Sequence, residues 1–308
     1  MRTPIRAALL ALALLVAPAA PADAVPSFDR DAAWEYLEAQ LEFGPRAPGT
    51  EGHAACADWM LEVLRDRADR VVPHGFVWDD PYSDQRLQLT NIKASFRPEL
   101  DTRIAVAAHW DTRPRADRDS ASVAHLPIPG ANDGGSGTAV LLALADVLAE
   151  NPPPIGVDLL FFDAEDWGKE GDPQYYLVGS RRFVRDFPRY RPAALILLDL
   201  VGEKGVRIPM EGYSLRQAPQ LTRLVFRRAA SLGLPAFEPV AGQAVLDDHV
   251  PFLRAGIPAV NLIDFDYPYW HTLQDTLDKC SPESLDQMGT LVLHLIWLDF
   301  ASGAIPRG

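Results

Sequence analysis

The chain has 308 residues, a formal charge of −13 and 48% hydrophobic residues. That acidic balance excludes nucleic acid or an anionic membrane surface as a partner, because both need a basic face. The apolar fraction suffices for a large core, and the 27 prolines imply many ordered connecting loops.

Arg2 and Arg6 precede an apolar run from Ala7 to Val16, followed by small residues ending in Ala22-Asp23-Ala24. This is the pattern of an export signal, too short to span a bilayer and interrupted by Pro18 and Pro21. Residues 1–24 are therefore expected to be removed. Residues 25–308 should form one soluble domain without a membrane anchor, in the periplasm or outside the cell.

Two helices follow, over Asp31 to Phe43, with Trp34, Leu37 and Leu41 on one face, and over Glu51 to Asp69, with Met60, Leu61 and Leu64 apolar. Strands are expected at Arg86–Phe96, Ile104–His109, Val157–Phe162, Ala194–Leu198 and Ala259–Ile263. The last four are continuously apolar, as in strands buried on both faces. Helices alternate with them at Gly135–Glu150, Ser180–Phe187, Ser214–Leu232 and Asp248–Ala255, and a last helix covers Pro282–Phe300. The pattern predicts a single α/β domain with a mixed, mostly parallel central sheet flanked by helices. Cys56 and Cys280 lack zinc-knuckle spacing; a disulfide between them and two buried thiols both fit an exported chain.

Polar residues fall where apolar strands end: His109, Asp163 to Asp166, and Asp199. Open α/β sheets place their sites at the carboxyl ends of strands. With Asp133 in the glycine-rich turn Gly130-Ala-Asn-Asp-Gly-Gly and His271 in Trp270-His271-Thr272, two imidazoles and several carboxylates make a donor set suited to zinc. In Glu165-Asp166 one carboxylate can bind metal while its neighbour carries protons. Any one of these residues alone could be structural; Asp133, for instance, could cap the following helix. Their co-occurrence at strand ends favours the metal site, since unpaired buried carboxylates are costly without a cation.

The stretches His109-Trp-Asp-Thr, Gly130-Ala-Asn-Asp-Gly, Phe161-Phe-Asp-Ala-Glu-Asp, Gly179-Ser-Arg-Arg-Phe, Leu198-Asp-Leu-Val-Gly, Asp247-Asp-His-Val-Pro-Phe and Trp270-His-Thr resemble the M28 metallopeptidase superfamily. The resemblance runs from about Arg103 to Leu285 and implies a zinc-exopeptidase-like catalytic domain acting on peptide N-termini. Its members include zinc aminopeptidases and glutaminyl-peptide cyclotransferases. Aminopeptidases commonly have Ser-Asp-His where this chain has Asp247-Asp248-His249. Trp270, Tyr267 and the run from Asp163 to Arg181 are similar to the bacterial cyclase pattern. The cyclase resemblance implies Zn2+ on Asp133, Asp166 and His271, with Glu165, Asp199 and Asp247 as catalytic residues and Trp270 and Tyr267 against the substrate. Its product would be pyroglutamate, with release of ammonia. The aminopeptidase alternative adds a second zinc on His109 and Asp199. Animal cyclases carry Glu where this chain has Asp166.

Overall fold

The computed structural model describes residues 25–303; the segment read as an export signal lies outside them. Eight strands form among the described residues: β1 (Arg70–Asp79), β2 (Arg86–Phe96), β3 (Arg103–His109), β4 (Gly156–Phe162), β5 (Leu195–Asp199), β6 (Ile208–Met210), β7 (Phe237–Ala241) and β8 (Ala259–Ile263). Six make one sheet in the order β1-β2-β4-β3-β5-β8, while β6 and β7 pair separately. The four strands β4, β3, β5 and β8 are parallel, and β2 and β1 add antiparallel at one edge. This is the mixed, mostly parallel sheet expected. All four parallel strands therefore end on the same rim, and the chain leaves β3 toward β4 on one side and returns to β5 on the other. That reversal of direction opens a crevice beside β3.

Helices cover both faces. They are α1 (Arg30–Glu42), α2 (Glu51–Arg65), α3 (Gly135–Glu150), α4 (Val178–Asp186), α5 (Gly212–Gln217), α6 (Pro219–Leu232), α7 (His249–Arg254) and α8 (Pro282–His294). Gly137 of α3 lies against Ala108 and the Leu198 carbonyl. Phe183 of α4 and Phe252 of α7 instead meet Phe162, the register partner of His109. Neighbouring residues on a strand face opposite ways, so α3 and the α4–α7 pair lie on opposite sides of the sheet. Burial on both sides is why every residue of β4 is buried and apolar apart from Asp158, which Arg103 and Ser95 neutralise and hydrogen-bond.

Three expectations are corrected. Strand β1 is absent from the expected strands; it carries Pro73 and is an edge strand, where the missing proline N–H deprives no second neighbour. The helix expected over Ser214–Leu232 is two helices meeting at Ala218, where Pro219 begins the second. The second helix stops at Arg65 rather than Asp69. Cys56 and Cys280 are both free and buried. Among the described residues no helix is long and apolar enough to cross a membrane.

Candidate active site

Five loops deliver the site. His109 and Asp199 are the last residues of β3 and β5. Beyond β4, Ala164 takes a left-handed conformation at φ 53°, turning the chain so that Glu165 and Asp166 both reach the crevice. Leu200, directly after Asp199, and His271 itself are also left-handed, at φ 50° and 59°. Strained backbone gathered at three site positions is typical of functional geometry that the surrounding fold must enforce. Asp133 sits in the turn before α3. Gly134 in that turn has φ 84°, and a Cβ there would lie 2.2 Å from the Asp111 carbonyl, so only glycine lets the loop close on β3.

Two donor groups share Asp133: His109, Asp133 and Asp199 on one side, and Asp133, Asp166 and His271 on the other, each with ligand atoms within 4.8 Å of one another. His109 Nε2 lies 3.2 Å from Asp199 Oδ1 and 3.3 Å from Asp133 Oδ1. His271 Nε2 lies 3.1 Å from Asp166 Oδ2 and 3.8 Å from Asp133 Oδ2. Asp133 Oδ2 and Asp166 Oδ2 are buried and accept no hydrogen bond. Buried carboxylate oxygens without donors are what a cation would satisfy, so the donor set fits a divalent metal.

A supporting layer holds these candidate donors. Asp117 Oδ1 is 3.4 Å from His271 Nδ1, and Arg113 bonds Asp117 while its Nη1 donates to Asp166 Oδ1 at 2.6 Å. Asp111 accepts the Glu165 amide at 3.1 Å, fixing the turn after β4. Asp275 accepts the amides of Asn132 and Asp133 at 2.9 and 3.0 Å. Orienting contacts of this kind set ligand direction and basicity. The sequence reading missed Arg113, Asp117 and Asp275. Their one visible signal is position, since each lies on the same loop as a motif residue.

Ionisation follows from crowding. Burial, and then the Asp166 charge, pushes Asp133 up to about 6. The same two causes push Glu165 well above the usual carboxylate range. Burial also acts on Asp166, but Arg113 and then His271 outweigh it and hold that group at about 2. Asp247 is pushed well up by burial, then by the Asp199 and Asp248 charges. The neighbouring carboxylates of Asp111, Asp133 and Asp199 outweigh burial at His109 and raise it well above its usual value.

A cavity of about 300 Å³ opens onto this chemistry, lined by Asp133, Glu165, Asp166, Asp199, Asp247 and His271 among others. Its aromatic boundary is Tyr176, Phe265 and Trp270. Trp270 stacks on His271 with ring centres 3.7 Å apart and meets Phe265 edge-on at 5.0 Å. Asp247 reaches the cavity with Oδ2 held by Asn261 Nδ2 at 2.6 Å. Tyr267 does not line it: it is buried, and its hydroxyl donates to Asp275 Oδ1 at 2.7 Å, behind the Asp133 turn. Seven of the predicted residues thus converge with His109, while Tyr267 braces the site from behind.

Residues 91–296 match the Peptidase family M28 model. Glutaminyl-peptide cyclotransferase from Drosophila melanogaster is 27% identical over 283 residues, covering 83% of this chain and 77% of its own. Among solved structures, Bacteroides thetaiotaomicron glutaminyl cyclase superposes with a TM-score of 0.86 at 34% identity, over 89% of this chain and 99% of that one. A leucine aminopeptidase precursor from the same species superposes with a TM-score of 0.85 at 35% identity, over 89% and 99%. The matching motifs, the zinc-exopeptidase-like sheet and the donor set at its rim agree: the chain belongs to peptidase family M28.

Proposed function

We propose that this protein is a glutaminyl-peptide cyclotransferase, converting the N-terminal glutamine of peptides to pyroglutamate with release of ammonia. The observation that carries the reading is Asp247. It is a buried carboxylate on the wall of the cavity that holds Glu165 and Asp199, where the aminopeptidase pattern has serine. The names of the relatives and of the superposing cyclase support the same choice. Asp133, Asp166 and His271 would hold one Zn2+, whose chemistry is to polarise the side-chain amide carbonyl as a Lewis acid. His109 Nε2 hydrogen-bonds Asp199 and lies 3.3 Å from Asp133, so a protonated imidazole there offsets carboxylate charge in the second donor group without a second metal.

The residues then divide the work. Glu165 takes a proton from the α-amine as its nitrogen bonds to the amide carbon, and returns a proton to the departing ammonia; its raised proton affinity suits that double duty. Asp199 and Asp247 accept hydrogen bonds from the reacting amine and amide N–H groups. Trp270, Phe265 and Tyr176 limit water in a cavity near the lower end of the roughly 300–1,000 Å³ range of ligand pockets, which favours the tethered amine as nucleophile. The reading also includes export of the mature domain.

The test is ammonia release from Gln-Ala-Ala amide by zinc-loaded protein, run beside hydrolysis of a leucine anilide. Cyclisation is expected, and Asp247→Ser should lower it at least tenfold with the thermal midpoint retained, since the carboxyl group that Asn261 and the Asp248 amide hold at the cavity wall is replaced by a shorter hydroxyl that loses a hydrogen bond of about 1 kcal/mol to the reacting groups. Leucine anilide turnover without ammonia from the glutamine peptide would instead favour the two-metal aminopeptidase.

A further inference from the structure

A second cavity of about 450 Å³ adjoins the active cleft and shares Val245 and Phe265 with it. The two spaces are thus separated by a wall no thicker than these side chains. Successive residues of an extended peptide advance by about 3.3 Å. A peptide whose first residue occupies the cleft has its second residue within reach of the second cavity across Val245 and Phe265.

The lining has two parts. Pro209, Val240, Val245 and Phe265 form apolar walls, with Val240 unusually open at 55% exposure. The polar part is acidic. Arg207 is neutralised by a two-pronged pair with Glu238, at 2.8 and 3.0 Å. Asp264 is buried and accepts the amides of Arg207 and Asp266, whereas Asp266 is exposed and its carboxylate bonds no partner among the described residues. Glu211 is spent inside the protein, accepting the amides of Tyr213, Ser214 and Val245. An apolar trough ending in free carboxylate charge matches a side chain with an aliphatic stem and a cationic head, which is the form of lysine and arginine.

On the cyclase reading just given, we propose that this cavity is a subsite for the residue following the terminal glutamine, and that it selects lysine or arginine there over acidic side chains. Asp266 supplies the exposed charge, and the Val240–Val245 wall takes the stem.

The experiment compares kcat/KM for Gln-Arg-Ala, Gln-Ala-Ala and Gln-Glu-Ala amides at low and at physiological salt, in wild type and in Asp266→Lys. Wild type should favour arginine over glutamate by about fivefold at low salt, the scale of one partly exposed charge pair, with the ratio shrinking as salt is added. Asp266→Lys should bring the ratio to unity or invert it. Equal use of the three peptides by wild type, or a preference that Asp266→Lys leaves unchanged, overturns the subsite while ammonia release leaves the cyclase reading standing. No ammonia from any of the three overturns both.

Discussion

Glu165 and Asp166 are adjacent carboxylates that the fold drives in opposite directions. Arg113 and His271 hold Asp166 ionised, as its proposed role of metal ligand requires, whereas Glu165 has no cationic side chain hydrogen-bonded to it and retains a proton more readily. The left-handed Ala164 and the Asp111 clamp on the Glu165 amide keep the two side chains apart. Two substitutions separate their roles from those of the supporting layer. Glu165→Gln should lower turnover by about two to four orders of magnitude with zinc content unchanged. Asp117→Asn should act through His271, weakening zinc affinity by about 10- to 100-fold as measured by chelator competition, with turnover largely recovered when zinc is in excess. At this scale the donor residues that the fold gathers were legible because His109, Asp199, Glu165 and Asp166 follow strand ends and Asp133 lies in a glycine turn, while His271 was legible only through its Trp270-His271-Thr272 motif. The supporting residues were not, because an aspartate in a polar loop carries no mark of the histidine it faces. Tyr267 shows the converse. A loop aromatic near a motif reads as a cavity wall, yet its hydroxyl found Asp275 eight residues on, and Phe265 took the wall.

The elements hold the site by close approach of α3 to β5. A Cβ on Gly137 would meet the Leu198 carbonyl oxygen at 2.3 Å and the Ala108 side chain at 3.0 Å, and neither can move without displacing His109 or Asp199. Alanine is favoured over glycine in a helix by about 1 kcal/mol, but a backbone clash that tight outweighs it, since overpacking costs about 1–3 kcal/mol. Gly137→Ala should therefore lower the thermal midpoint by several degrees, on a scale of about 2–4 °C per kcal/mol for a domain of this order. Gly75→Ala in β1, where nothing lies within 4 Å of the added carbon, should leave it unchanged or slightly raised. Melting both variants by circular dichroism checks the pair. The apolar central strands and the long helices were legible from periodicity. The edge strand was not: Pro73 forbids a central position but not an outer one, and only the pairing of Arg70–Asp79 with β2 distinguishes the two.

For the whole molecule, acidity is the governing property, with a formal charge of −13 and a sequence pI near 4.9. Repulsion among carboxylates grows as pH rises, and the fold places one pair where this can be measured away from the metal ligands. Partial burial, and then the nearby Asp264 charge, pushes Glu203 from 4.5 up to about 7, so that its protonated carboxyl donates to Asp264. A group raised in the folded state contributes stability that is fully present below its unfolded value near 4.5 and is lost as pH rises through about 7. Glu203 is less than half buried, so solvent screening reduces the effect, and its sign and window are the firm expectations. Glu203→Gln keeps a donor toward Asp264 and cannot ionise. Its thermal midpoint should match wild type near pH 4.5 and move progressively above it between pH 5 and 8, flattening there. A wild-type midpoint that stays parallel to the variant across that window would show that Glu203 ionises at its ordinary value, and that the charge beside Asp264 is relieved by some other group.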